Sequence, residues 1–126
     1  MKIEKFTFNP FAENTYVIYD ERTKDCIIID PGCYESNEEK ILLNFILSNK
    51  LVPSKLINTH CHIDHIFGNN FVMKNWNVEL FVHKKEEELL SQSKNIAKSY
   101  GFENYKLSPK ADKFIDENDN ISIGNE

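Results

Sequence analysis

An α/β fold with a mixed, mostly antiparallel sheet and flanking helices is what this chain predicts, on three observations. Its first thirty residues hold three β-type runs separated by turn residues. From Ser36 onward, apolar residues at helical spacing alternate with short β-branched or aromatic runs. The length of 126 residues, with 40% hydrophobic, 12% aromatic and 28% charged residues, suits one globular unit, assigned to residues 1–126.

The elements follow in order. Lys2 to Phe8 alternates polar and apolar residues until Asn9-Pro10 breaks the run, and Thr15-Tyr16-Val17-Ile18-Tyr19 resumes it. The polar stretch Asp20–Asp25 leads to Cys26-Ile27-Ile28-Ile29-Asp30, which Pro31-Gly32 ends, so the three strands read as an antiparallel meander. Ser36 with Glu39 three residues on forms a capping-box pattern, and Ile41, Leu42, Phe45 and Ile46 carry a helix to about Asn49. Lys55-Leu56-Ile57-Asn58 is a short strand, and Asp64 is read as the cap of a helix toward Asn75. Glu79-Leu80-Phe81-Val82 is a further strand, followed by one or two helices from Lys84 to Ser99 that Gly101 ends. Phe114-Ile115 and Ile121-Ser122-Ile123 flank five small polar residues, the pattern of a hairpin.

Composition excludes several classes of function. Fifteen basic against twenty acidic residues give −5, spread as −2 over residues 1–63 and −3 over 64–126, which disfavours nucleic acid. The aliphatic runs, such as Cys26–Ile29, fall far short of the ~20 residues of a membrane span, and no membrane partner is expected. The N-terminus lacks the apolar segment of a secretory signal, so a cytoplasmic location is expected. Cys26, Cys33 and Cys61 are odd in number with no Cys-x-x-Cys spacing, which points to reduced thiols rather than disulfides.

One segment concentrates the chemistry. Thr59-His60-Cys61-His62-Ile63-Asp64-His65 holds three of the four histidines of the chain. If residues 60–64 are extended, His60, His62 and Asp64 project to one side while Cys61 and Ile63 face away, and a turn into helix brings in His65. Crowded imidazoles repel when protonated, so their clustering needs a metal to be favourable. Imidazole with carboxylate suits zinc, iron or manganese, as one ion or as two adjacent ones. The fourth histidine, His83, lies at a strand end before Lys84-Lys85 and reads as structural, as Glu86-Glu87-Glu88 reads as a solvated first helical turn.

The string Thr59, His60, His62, Asp64, His65 and Gly68 resembles the signature of the metallo-β-lactamase superfamily. Asn14-Thr15-Tyr16, Ile29-Asp30-Pro31-Gly32 and the strand-helix-strand run before the histidine loop extend the resemblance over nearly the whole chain. Within that superfamily the pattern is most similar to hydroxyacylglutathione hydrolases. The resemblance implies the N-terminal half of an αββα sandwich, with His60 and His62 on a first metal and Asp64 and His65 on a second. It also implies that Asp30 supports a ligand by hydrogen bonding, that zinc is the metal, and that Asp64 orients the attacking hydroxide as the catalytic group. The implied substrate is a small thioester or ester.

The chain departs from the family pattern after Ile121-Ser122-Ile123. The Pro-Gly-His motif, the bridging aspartate and the final histidine of full-length members have no counterpart in it. The expectation is therefore a domain truncated before its second half, with two competing functions: a non-catalytic half-domain binding metal weakly, or a mononuclear iron enzyme like the persulfide dioxygenases of the same superfamily. An uncovered inner sheet further predicts a homodimer or larger assembly. Hiding ~400 Å² on each of two chains, at ~25 cal/mol per Å², is worth ~20 kcal/mol against association costs of ~4–15 kcal/mol.

Overall fold

A computed structural model of the chain describes residues 1–124, and the last two residues of the 1–126 unit lie outside that description. Six strands, β1 (Lys2–Phe8), β2 (Glu13–Tyr19), β3 (Asp25–Ile29), β4 (Val52–Ile57), β5 (Glu79–His83) and β6 (Lys113–Ile115), form one sheet in sequence order. The connections dictate their directions. Tight turns after Phe8 and Tyr19 make β1, β2 and β3 antiparallel, with Phe6 opposite Thr15 and Val17 opposite Ile28. The later connections carry helices, so β3, β4, β5 and β6 run parallel.

The helices α1 (Ser36–Ser48), α2 (Ile63–Ile66), α3 (Asn69–Asn75), α4 (Glu87–Ser91) and α5 (Ser93–Ser99) share one face of the sheet. There Ile28 and Leu56 of the central strands meet Leu42 and Ile46 of α1 and Ile66 of α2, all fully buried. The other face is a smaller apolar cluster of Ile27, Ile57 and Ile123, with Ile18, Ile29, Phe81 and Ile115 partly buried beside it.

Three local expectations need correction. The capping box of α1 sits one residue earlier than Ser36-Glu39: Glu38 Oε1 accepts from the backbone N–H of Glu35 at 3.3 Å and of Tyr34 at 2.9 Å. The helix expected from an Asp64 cap to Asn75 starts at Ile63, with Asp64 inside its first turn, and breaks at Phe67-Gly68. Gly68 donates its N–H to Pro31 O at 2.7 Å, an approach that diverts the chain from helical geometry. A Cβ there would sit 2.9 Å from that oxygen and against Cys33 Sγ, so the close approach requires glycine.

The hairpin expected between Phe114-Ile115 and Ile121–Ile123 does not form. The turn exists, with Asp119 N donating to Asp116 O at 3.1 Å, but Lys113–Ile115 pairs parallel with β5. Residues 121–124 instead cross the opposite face, where Lys55 Nζ donates to Ser122 O at 3.1 Å and Gly124 N to Asp25 Oδ2 at 2.8 Å. Burial of Ile123 against Ile27 and Ile57 outweighs a two-stranded ribbon that would leave it in water.

Candidate metal centre

Strand β4 ends at Ile57, and residues 58–62 run irregularly to α2 at the end of the sheet. Asn58 at the start of this loop and Asn69 at the start of α3 are joined by reciprocal amide hydrogen bonds of 3.1 and 2.8 Å, both side chains buried. The alternation expected for residues 60–64 holds as far as Ile63: Cys61 and Ile63 are buried in the core while His60 and His62 face outward. Asp64 reaches the same side from the helix rather than from an extended strand.

The rings of His60, His62 and His65 gather with centroids 5.8, 5.3 and 6.5 Å apart, and Asp64 Oδ2 lies 3.5 Å from His65 Nε2. His60, His65 and Asp64 line a cleft of about 410 Å³ together with Tyr16, Ile29 and Asp30, while His62 faces a smaller cavity beside it that shares Asp64.

Asp30 underlies this group. It is buried and takes a left-handed backbone, φ 51°, between β3 and the Pro31-Gly32 turn, a conformation that aspartate tolerates better than most residues. Its Oδ1 accepts from Thr59 N at 2.7 Å, and its Oδ2 accepts the Thr59 hydroxyl. Since the Thr59 proton is committed to Asp30, the 3.0 Å contact of Thr59 Oγ1 with His60 Nδ1 requires the imidazole to donate. That tautomer leaves His60 Nε2 with a free lone pair, the state a metal ligand needs.

His65 shows the same logic from its other side. Its Nδ1 is 3.1 Å from Asp30 Oδ2 and 3.6 Å from Glu13 Oε1. The Asp30 carboxylate beside Nδ1, foremost, raises the His65 pKa above its ordinary value, with Asp64 and Glu13 adding to it and burial opposing it. Glu13 is only 4% exposed, and burial pushes its carboxyl up to about 8. Glu13 Oε1 and His65 Nδ1 are both buried without an aligned hydrogen-bond partner.

Glu13, Asp30 and His65 by themselves bring three donor atoms within 4.8 Å of one another. Both Asp30 oxygens are already occupied by Thr59, and Glu13 Oε2 is 3.0 Å from the Thr15 hydroxyl. This cluster thus suits orientation of His65 through Nδ1, leaving Nε2 to face Asp64 and the other histidines. The donor chemistry of the outer group, three imidazoles and a carboxylate beside two unsatisfied buried polar atoms, fits a divalent cation of the zinc, iron or manganese type.

Several positions escaped the sequence. Asn9, in a left-handed turn (φ 58°), donates through Nδ2 to Gly32 O at 2.9 Å and to Asp64 O at 3.0 Å, tying the β1–β2 turn to the metal loop. A Cβ on Gly32 would lie 2.6 Å from Asp64 O and 2.7 Å from Asn9 Nδ2, which explains the glycine after Pro31. Glu86, expected to be solvated, accepts from Cys61 N at 2.9 Å and pins the histidine loop from a distant helix. His83, read as structural, caps the turn after β5, its Nδ1 accepting from Lys85 N at 3.1 Å.

Comparison with known proteins places this geometry. A family model described as the metallo-beta-lactamase superfamily matches residues 8–120. The chain is 27% identical over 93 residues to a Bacillus subtilis protein named as a probable metallo-hydrolase, covering 74% of this chain and 41% of that protein. It is 29% identical over 69 residues to a hydroxyacylglutathione hydrolase of Prochlorococcus marinus, covering 54% and 26% of the two chains. In structure it is similar to a B3 metallo-beta-lactamase, BLEG-1, with TM-score 0.81 at 23% identity over 98% of this chain and 57% of that one. A protein crystallised in a di-iron-bound form gives TM-score 0.77 at 20% identity, covering 94% and 56%. The chain spans about half the length of the proteins it matches, or less.

Proposed function

The chain belongs to the metallo-beta-lactamase superfamily, and from that premise we propose that it carries the metal-binding half of a hydrolase acting on thioesters or small esters. The observation that supports this most is the gathering of the His60, His62 and His65 rings around Asp64 at the end of the sheet, with Asp30 and Thr59 beneath them. In this reading His60 and His62 hold one zinc ion, and Asp64 and His65 hold a second. Bound ions of this type supply Lewis acidity toward an acyl carbonyl and a nucleophilic oxygen from water at neutral pH.

The chain's own groups do the rest. Asp30 fixes His60 through the Thr59 hydroxyl and His65 through Nδ1, so that both present Nε2 outward. Asp64 orients the attacking water with its carboxylate. A thioester suits such a site because its thiolate leaves without strong acid assistance, and the resemblance to hydroxyacylglutathione hydrolases supports that choice over other acyl compounds.

Two donors per ion fall short of the three protein ligands usual for catalytic zinc, so the 126-residue chain alone is expected to bind metal and turn over slowly. Elemental analysis after dialysis against zinc, followed by turnover of a lactoylglutathione-type thioester, tests both statements. His60→Ala and His62→Ala should each remove one zinc per chain, whereas Cys61→Ala, whose side chain faces the core, should keep it. Absence of stoichiometric metal in the parent chain would overturn the reading, and turnover of about 1–1,000 per second would overturn the expectation of a slow half-site.

A further inference from the structure

Beside the histidine cleft lies a second, smaller cavity of about 150 Å³, lined by His62 and Asp64 at one end and by Phe11, Ile63, Leu89, Ile96 and Tyr100 elsewhere. The two cavities share Phe11 and Asp64, so Phe11 stands between them. Two of the lining rings are unusually open for aromatic residues, Phe11 at 47% and Tyr100 at 62% exposure, and they meet edge to face with centroids 5.8 Å apart. The wall is placed by structure rather than by chance of a surface loop. Asn9 Oδ1 accepts the N–H of Phe11 at 2.9 Å while its Nδ2 donates to the Asp64 carbonyl at 3.0 Å, so one side chain fixes the ring and the carboxylate residue together.

Resting on the hydrolase reading above, we propose that this cavity is the acyl subsite, and that it selects an unbranched, uncharged acyl chain of about four to six carbons. Three features define that class. The lining beyond His62 and Asp64 is apolar or aromatic, with no cation to receive a charged tail. The volume of 150 Å³ equals the share of about five waters in the liquid, which a short alkyl chain fills and a fatty chain overruns. A carrier thiol bearing peptide or nucleotide groups is larger than this cavity, and the adjoining 410 Å³ cleft on the far side of Phe11 is where it would begin to extend.

Methyl-resolved NMR titration of the chain, with and without zinc, with acetate, butanoate, hexanoate and octanoate tests the assignment. The expected result is saturable shifts of the Ile63, Leu89 and Ile96 methyl groups, with affinity rising about fourfold per buried methylene up to hexanoate and levelling after it. Phe11→Ala and Tyr100→Ala should each lower the hexanoate-to-acetate affinity ratio at least tenfold. Leu107→Ala, which lines a separate cavity with Leu90 and Ala111, should leave that ratio as it is. A chain that binds no zinc sinks the hydrolase reading while the methyl shifts still decide the subsite. A flat chain-length series, or shifts at Leu90 and Ala111 in place of Leu89 and Ile96, overturns the subsite whatever the zinc content.

Discussion

Asp30 carries more of the site than any histidine, because it accepts both donors of Thr59 and faces His65 Nδ1. Asp30→Asn keeps the shape but puts an amide donor against donors. The expected cost is about 2–3 kcal/mol of stability, read by urea unfolding in EDTA, and a 10–100-fold loss of zinc affinity. An unchanged unfolding midpoint would show that Thr59 finds other partners. Cys26 tests burial at the same scale. Desolvation in the core pushes its thiol up to about 12. At pH 8 its thiolate is about 1,000-fold rarer than that of a thiol with an ordinary pKa near 9. Iodoacetamide should therefore label it very slowly in the folded chain. Because its folded pKa is raised, the stability this neutral thiol contributes is fully present below about pH 9 and is lost as pH rises through 12. Labelling at the rate of a free thiol would contradict that burial.

Between elements, the decisive contacts join segments far apart in sequence. The break between α2 and α3 places Gly68 against Pro31 and the Cys33 side chain, in the turn that follows Asp30. Gly68→Ala must push those segments apart, and an overpacked contact of this kind costs about 1–3 kcal/mol. Thermal unfolding should show a lower Tm together with weaker zinc binding, since the displaced turn carries Asp30. A lower Tm with unchanged zinc affinity would mean that α2 and the turn move independently. Glu86 belongs to this scale too, because its carboxylate holds the Cys61 N–H of the histidine loop from the start of the α4 region.

Across the whole molecule, the two faces of the sheet are unequal. Five helices cover one, while Ile123 and the residues beside it cover only the middle of the other. Ile3 at the β1 end is 65% exposed, and Ile18, Ile29, Phe81 and Ile115 remain partly open. Among the described residues no helix is long and apolar enough to cross a membrane. We propose that this face pairs two copies of the 126-residue chain, for which sedimentation equilibrium at micromolar concentration should give a mass near twice 14.8 kDa. Ile123→Asp, which uncovers Ile27 and Ile57, should strengthen association or precipitate the chain. A 14.8 kDa particle for both forms would show that the partial cover is enough.

The sequence by itself determined what depends on near neighbours. The alternation in β1 and β2, the Pro31-Gly32 stop, the helical period of α1 and the spacing of His60, His62, Asp64 and His65 are local patterns, and each leaves a short-range signal. The antiparallel start of the sheet followed from the turn residues between its first strands. Tertiary structure decided what depends on distant partners. Glu13 and Glu86 look like ordinary surface carboxylates until the fold buries one beside His65 and brings the other to Cys61 N, 25 residues away. Asn9 reads only as a turn residue, yet it clasps Asp64 across 55 residues. The path of Ile121–Ile123 likewise turned on an apolar face that exists only once β3 and β4 have paired. Hydrogen bonds and burial between such segments have no sequence period, so they become visible only when the chain has folded.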